Sequence, residues 1–350
     1  MREIRVAIIG VGNCCSALLQ GVEFYAKDQT ESLGILHLEV GEYVPSDIKF
    51  VAAFDIDSRK VGKDLSEAIF SEPNMLSHIV DVPKLGVPVL RGPTLDGLGQ
   101  YTKDLIKAST DIPVDIRESL RKEGAEIVIN LLPSGAPEAS RFYAEQAIEA
   151  GCAFVNATPT PIVSDSDFGK RFRTFSVPAA GDDLMDQIGA TVVHMALLKL
   201  LNERGVHIDE SYQLDVGGGA ESLSTLERGK EAKRRIKTEM VGTSVPYAFP
   251  LVAGSTDYVD FLGNHRDSLF WIKGRCFLGV PVTLDIKLET MDGPNAGAVL
   301  FDVIRAVKLA MDRKMSGPLV PVSAYAFKMP PKRIEFREAV RLFEEFIAVK

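Results

Sequence analysis

The chain has 350 residues, 46% hydrophobic and 25% charged, enough to bury a large core and to form two domains. Its formal net charge of −8 argues against a general polyanion-binding role, and no apolar run reaches membrane-spanning length. Four cysteines (Cys14, Cys15, Cys152, Cys276) lack metal-ligand spacing and read as reduced thiols, and the first residues enter a strand with no signal-peptide pattern, so a cytoplasmic protein is expected.

Ile4 to Ile9 is a run of branched apolar residues that reads as a buried parallel strand. It ends in Gly10-Val11-Gly12 and opens into an apolar-periodic segment (Ala17, Leu18, Val22) that reads as a helix. Strand, glycine turn and helix together are the pattern of a dinucleotide site. Gly10 permits the tight turn, Gly12 lets a pyrophosphate approach the backbone, and the N–H groups at the helix start hold the anion. The third small position is Cys15 rather than glycine, which still allows close helix–strand packing. The same Gly-x-Gly also serves elsewhere as a plain tight turn. Residues 26–47 read as an ordered insertion. Lys49 to Asp57 is a second apolar strand that ends in two acids. Asp55 is the candidate ligand of a ribose, repelling the extra phosphate of NADP, whereas Asp57 or Ser58 is expected to cap a helix running to Phe70.

A short strand at Val87–Leu90 leads into the loop Arg91-Gly92-Pro93-Thr94-Leu95-Asp96-Gly97, which either faces a ligand or merely connects. Strands follow at Glu126–Leu132, Cys152–Asn156 and Ser176–Ala180, with a helix at Pro137–Ala150. This alternation predicts an α/β fold with a doubly wound, Rossmann-type parallel sheet, in which ligands bind at the carboxyl ends of strands. Gly12, Asp55, Ser134, Asn156 and Asp183 should therefore converge on one rim. After a helix at Ile188–Glu203, stopped by Gly205, the pattern changes. Tyr212–Val216, Leu269–Lys273, Arg275–Leu278 and Val282–Thr290 alternate like antiparallel strands with one open face. The expected organisation is a dinucleotide domain over 1–199, an inserted α+β domain over 200–292, and C-terminal helices over 293–350 (Asn295–Arg313, Glu335–Val349) that return to the first domain.

Residues 226–237 carry six basic and two acidic side chains. Lys233 and Lys237 are four apart and share a helix face, where like charges repel unless an anion such as phosphate offsets them. A solvated lysine-rich helix has the same pattern. The lysine pair stands sixteen residues after Gly217-Gly218-Gly219 and downstream of a Gly-Asp-Asp strand exit, an arrangement that resembles the myo-inositol-1-phosphate synthases in their shorter prokaryotic form. The likeness runs through nearly the whole chain. It includes Val-Gly-Asn-Cys at 11–14, Phe-Asp-Ile-Asp at 54–57, the 91–97 loop and Asn-Ala-Thr-Pro at 156–159. It continues with Gly-Asp-Asp-Leu at 181–184, Gln-Ile-Gly-Ala-Thr at 187–191, Met-Asp-Gly-Pro-Asn-Ala-Gly at 291–297 and Ser-Ala-Tyr-Ala-Phe-Lys-Met-Pro-Pro at 323–331.

The resemblance implies an NAD-dependent, redox-neutral cyclisation of glucose 6-phosphate: oxidation at C5, enolisation at C6, intramolecular aldol attack on C1, and reduction to inositol phosphate. Each stage develops oxyanion charge, which cationic side chains must meet. By motif position Lys233 becomes the proton-transfer partner at the C5 oxygen, and desolvation beside other cations should lower its pKa. Lys237 and Lys328 become ligands of the phosphate and the C1 oxygen, with Asp183 and Asp292 orienting the lysines and the nicotinamide end. Strand ends and resemblance together mark Gly10, Gly12, Asn13, Cys14, Asp55, Ser134, Asn156, Thr158 and Asp183 for the cofactor. The likeness also implies a homotetramer. No metal-ligand cluster stands out. Three positions depart from the family: Ala220, with Glu221 beside it, where an acid is common; Met185 where eukaryotic members carry lysine; and Arg266 in place of an active-site lysine. Arginine grips phosphate bidentately but cannot serve as a general base. The alternatives are an NAD-dependent dehydrogenase or cyclase acting on another phosphorylated sugar, which net NADH release would reveal, and a non-enzymatic NAD sensor.

Overall fold

Strands and helices alternate from the start of the chain because apolar residues of period two are followed by apolar residues of helical period. The computed structural model describes residues 2–27 and 33–348. Its first sheet has seven strands: β1 (Ile4–Ile9), β2 (Ile48–Asp55), β3 (Val89–Arg91), β4 (Ile127–Asn130), β5 (Ala153–Asn156), β6 (Pro178–Gly181) and, late in the chain, β11 (Gly317–Pro318). The order is β11-β6-β5-β4-β1-β2-β3, and every pairing is parallel. Both faces are covered, as parallel sheets require. In β1, Ile4, Val6 and Ile8 enter one core while Ala7 and Ile9 enter the other; in β5, Val155 and Phe154 divide in the same way.

The helices up to β6 are α1 (Asn13–Lys27), α2 (Leu65–Ala68), α3 (Thr102–Leu105), α4 (Ile116–Lys122), α5 (Pro137–Ala150) and α6 (Ser166–Thr174). The predicted helix from Asp55 to Phe70 shrinks to α2. Its cap is Asp64, whose carboxylate accepts the Ser66 N–H, and not Asp57 or Ser58. Asp57 instead accepts the Arg59 N–H and pairs with the Arg59 guanidinium, closing a turn where a helix was expected.

The second sheet has the order β10-β9-β7-β8, built from β7 (His207–Gly217), β8 (Leu251–Tyr258), β9 (His265–Arg275) and β10 (Pro281–Met291). β9 is antiparallel to β7 and β10, but β7 and β8 run parallel, so the sheet is mixed. Arg275–Leu278 is not a separate strand: β9 runs unbroken to Arg275, and Phe277–Gly279 is the tight turn into β10, with Leu278 at φ 62°. The helices here are α7 (Ala190–Glu203), α8 (Ala220–Ser224) and α9 (Lys230–Gly242), with one π-helical turn at Thr225–Gly229 between α8 and α9. Met195 and Leu198 of α7 share a core with Met240 and Val241 of α9 and Ile272 of β9.

The last helices are α10 (Asp292–Asp312), α11 (Val320–Ala326) and α12 (Phe336–Ala348). α10 lies on α1, placing Leu300, Val303 and Val307 in the first sheet's core, and Val349 of the expected final helix lies outside the described residues. Of the insertion over 26–47, residues 28–32 are likewise outside them. The rest is pinned to α10. Arg305, fully buried, donates to the carbonyls of His37 and Leu38 at 2.8 Å each and to Asp302 at 2.9 Å. His37 bridges Asp302 and Glu344, and these two carboxylates outweigh burial to raise its pKa above the usual histidine value.

Candidate active site

One cavity of about 300 Å³ follows the carboxyl ends of the first sheet's strands and continues to the α9 lysines. The end expected to take a dinucleotide rests on the first turn of the chain. Gly10 has φ +90°, and a Cβ there would meet the Leu131 carbonyl at 2.9 Å. At Gly12 a Cβ would meet nothing within 4 Å, so it would project into open space beside the start of α1. That opening, lined also by Asn13 and Cys14, suits a pyrophosphate at a helix N-terminus. Burial pushes the Cys14 thiol up to about 12, so it faces the cavity neutral. Asp55 reaches the same wall, but its carboxylate is partly committed: Oδ2 accepts the Val11 N–H at 2.7 Å, and Oδ1 accepts the N–H groups of Ile56 and Asp57. The 93–98 segment lines the far side, and the Asp96 carboxylate caps α5 through the Glu138 and Ala139 N–H groups.

Two of the predicted cofactor residues stand behind the wall and do not line it. Asn156 is fully buried; its amide donates to Asp182 at 2.7 Å and to the Thr160 carbonyl at 2.8 Å, and its oxygen accepts from Asn130 and Thr158. Ser134 is 1% exposed and both its N–H and its hydroxyl donate to Glu221. Both shape loops whose neighbours, Leu132 and Thr158 among them, line the cavity. The Gly-Asp-Asp exit divides likewise. Asp182 points inward and accepts the N–H groups of Ile162, Val163 and Ser164 at 3.0 Å, whereas Asp183 faces the cavity.

At the lysine end Asp183 is the centre. It is 1% exposed, and its Oδ1 lies 3.4 Å from both Lys233 Nζ and Lys328 Nζ. Its Oδ2 is buried with no partner among the described residues. Burial raises its pKa, but Lys233, Lys328 and Lys237 outweigh that and hold it below the usual carboxylate range. Lys328, from the segment after α11, also donates to the Leu184 carbonyl. Lys237 is buried and ion-paired to Asp215 at 2.5 Å. Arg266, at the start of β9, donates through Nε and Nη2 to Asp292 Oδ2 at 3.0 and 2.6 Å.

The titration order differs from expectation. Burial lowers the Lys233 pKa, but Asp183 and Glu221 outweigh it and hold this lysine above its ordinary value, so Lys233 stays an ammonium. The lysine held low is Lys237, through burial and the nearby Arg266, Lys328 and Lys233, even against Asp215. The reason is placement: Lys233 sits between two carboxylates, Lys237 among cations.

Several residues of the site were missed in the sequence. Asp215 is one, although Ser211, Gln213 and Asp215 alternate as a buried polar face along β7, which is a readable signal. Glu221 joins the Ser134 loop to Lys233 at 3.4 Å, and Asp186 also lines the cavity. Asn264 adds a buried amide nitrogen without a partner among the described residues.

A family model described as myo-inositol-1-phosphate synthase matches residues 189–293. The chain is 44% identical over 351 residues to an inositol-3-phosphate synthase of Mycobacterium tuberculosis, covering 99% of this chain and 96% of the relative. It is 43% identical over 356 residues to one of Corynebacterium glutamicum, covering 98% of each. The crystal structure of Ari2 superposes with a TM-score of 0.82 at 32% identity, over 99% of both chains.

Proposed function

Since the chain belongs to the myo-inositol-1-phosphate synthase family, we propose that it converts D-glucose 6-phosphate into 1D-myo-inositol 3-phosphate with NAD as cofactor. The observation that carries this reading is the single carboxylate of Asp183 shared by Lys233 and Lys328, in the same cavity as the open face of Gly12. The residues fit a dinucleotide: room at Gly12, a helix start, and an acid at the end of β2. When bound, NAD would supply a reversible hydride acceptor.

The chain's own residues account for the rest. Lys233, kept protonated by Asp183 and Glu221, donates a hydrogen bond to the C5 oxygen and stabilises the negative charge that develops there. Lys237 and Lys328 bind the phosphate and the C1 oxygen that gains charge in the aldol step. Arg266, locked by two bonds to Asp292, offers its remaining donors to phosphate. It holds its proton throughout, so this position binds and does not exchange protons.

Incubation with NAD⁺ and isotopically labelled glucose 6-phosphate, read by NMR, tests the reading. Inositol phosphate without net NADH is expected. Stoichiometric NADH would instead make the protein a dehydrogenase, and tight NAD⁺ binding with no product would point to another sugar phosphate. We further propose a homotetramer in the cytoplasm. Exposed Tyr212, Val252 and Leu269 on the second sheet support the assembly, and four unpaired cysteines support the compartment. A monomer by light scattering would refute the tetramer.

A further inference from the structure

We propose that Lys60 is a further cofactor-binding residue, which meets the pyrophosphate of the dinucleotide with a buried positive charge. The proposal rests on the NAD reading above. Lys60 lies just after β2, is 3% exposed and lines the cavity beside Gly12. Its ammonium donates to the Val11 carbonyl at 2.7 Å and to Asn74 Oδ1 at 2.9 Å. Both acceptors are neutral, and no carboxylate pairs with Lys60 among the described residues. A lysine has three donors, so one is unspent. A buried ammonium without a counter-charge is unfavourable unless an anion completes it.

The surroundings show which anion. Val11 lies between the two glycines of the turn. Its carbonyl is held by Lys60 and by Asn74 Nδ2 at 3.1 Å, and its N–H by Asp55. Asn13 Oδ1 accepts the N–H groups of Met75 and Leu76, which ties the same segment to the first residue of α1. The glycine turn is thus held by Lys60, Asn74 and Asp55, with open space at Gly12 on the cavity side. A cation built into that frame, next to a helix start, suits a phosphate diester in that opening.

Calorimetric titration of the full-length protein tests this with NAD⁺ and with adenosine, which lacks the phosphates. Lys60→Met should weaken NAD⁺ binding by about tenfold or more, leave adenosine within about twofold, and flatten the salt dependence of NAD⁺ affinity. Lys60→Arg should recover most of the NAD⁺ affinity. Equal losses for NAD⁺ and adenosine would show a purely structural clip and overturn the proposal, as would unchanged NAD⁺ affinity. If the methionine variant does not fold, Lys60→Gln, which keeps a donor without the charge, carries the same expectation and the same refutation. Wild-type protein that binds no NAD⁺ would fell the cofactor reading itself; a neutral variant that binds it normally would fell only the assignment of Lys60.

Discussion

Asp183→Asn removes the one carboxylate that two ammonium groups share. At 3.4 Å from Lys233 Nζ and 3.4 Å from Lys328 Nζ, its charge is worth about 5 kcal/mol to each at an effective dielectric of about 20. That is enough to move an ammonium pKa by roughly three to four pH units, taking Lys233 from above its ordinary value to below it. Removing one partner from a buried ion pair costs about 3–5 kcal/mol of stability. The sign with pH follows from the lowered pKa of Asp183. Its contribution is complete above the unfolded value of about 4 and is lost as pH falls through the folded one. Urea unfolding should therefore show the full gap between wild type and variant at neutral pH, closing in acid below about pH 4. Product formation should fall by at least about a hundredfold. A variant as stable as wild type at neutral pH, or a gap that persists in strong acid, would refute the shared-carboxylate argument.

Gly12→Ala should leave the melting temperature within a degree or two, because its Cβ meets nothing within 4 Å, yet weaken NAD⁺ binding by about tenfold or more in a calorimetric titration. Gly10→Ala is the contrasting control: at φ +90°, with the Leu131 carbonyl 2.9 Å away, it should lose about 1–3 kcal/mol in chemical denaturation. Arg266→Lys keeps a cation but cannot make both bonds to Asp292, so the KM for glucose 6-phosphate should rise about tenfold with kcat within a few-fold; an unchanged KM would remove Arg266 from phosphate binding. His194 is buried against Ser211 and Gln213 with its pKa lowered by burial to about 4. The unfolded chain takes up that proton below about pH 6.5 while the folded one does not, so stability should drop by about 3 kcal/mol between pH 6.5 and 4, with a visibly shallower slope in His194→Gln.

The parts of this fold that could be read in advance are those where local and tertiary preferences agree. Pro137–Ala150 was expected as a helix and is one, with Pro at its first turn and Gly151 in the left-handed region at its end. The reading failed where tertiary partners decide. Phe277 and Leu278 have strand propensity, but the register of β9 against β10 makes them a turn. Leu251–Tyr258 passed unnoticed because its strand holds Gly254, Ser255 and Asp257, and pairing with β7 stabilises it. In the site, spacing brought out the Lys233–Lys237 pair, the strand exit Asp183 and the family resemblance Lys328, but not Asp215, nor Glu221 beyond its place next to Ala220; the importance of both lies in what they touch. Spacing also misjudged Lys233, since its pKa depends on two carboxylates 50 and 12 positions away in sequence.

The position of Lys328 has a consequence for how the protein comes into being on the ribosome. The glycine turn of the proposed dinucleotide site is framed by the opening residues, from Ile4 to Lys60 and Asn74, with β4 beside them. The proposed sugar phosphate site draws on Lys328, held by Asp183 and Leu184, and on α10, which bears Asp292 and rests on α1. Synthesis therefore delivers the residues of the two halves of the cavity far apart in time, those that frame the glycine turn long before the last cation. A product truncated just after α11 would lack that last cation and also α12, whose Phe343 and Phe346 lie in the same core as Val11 and Cys15 beneath the glycine turn.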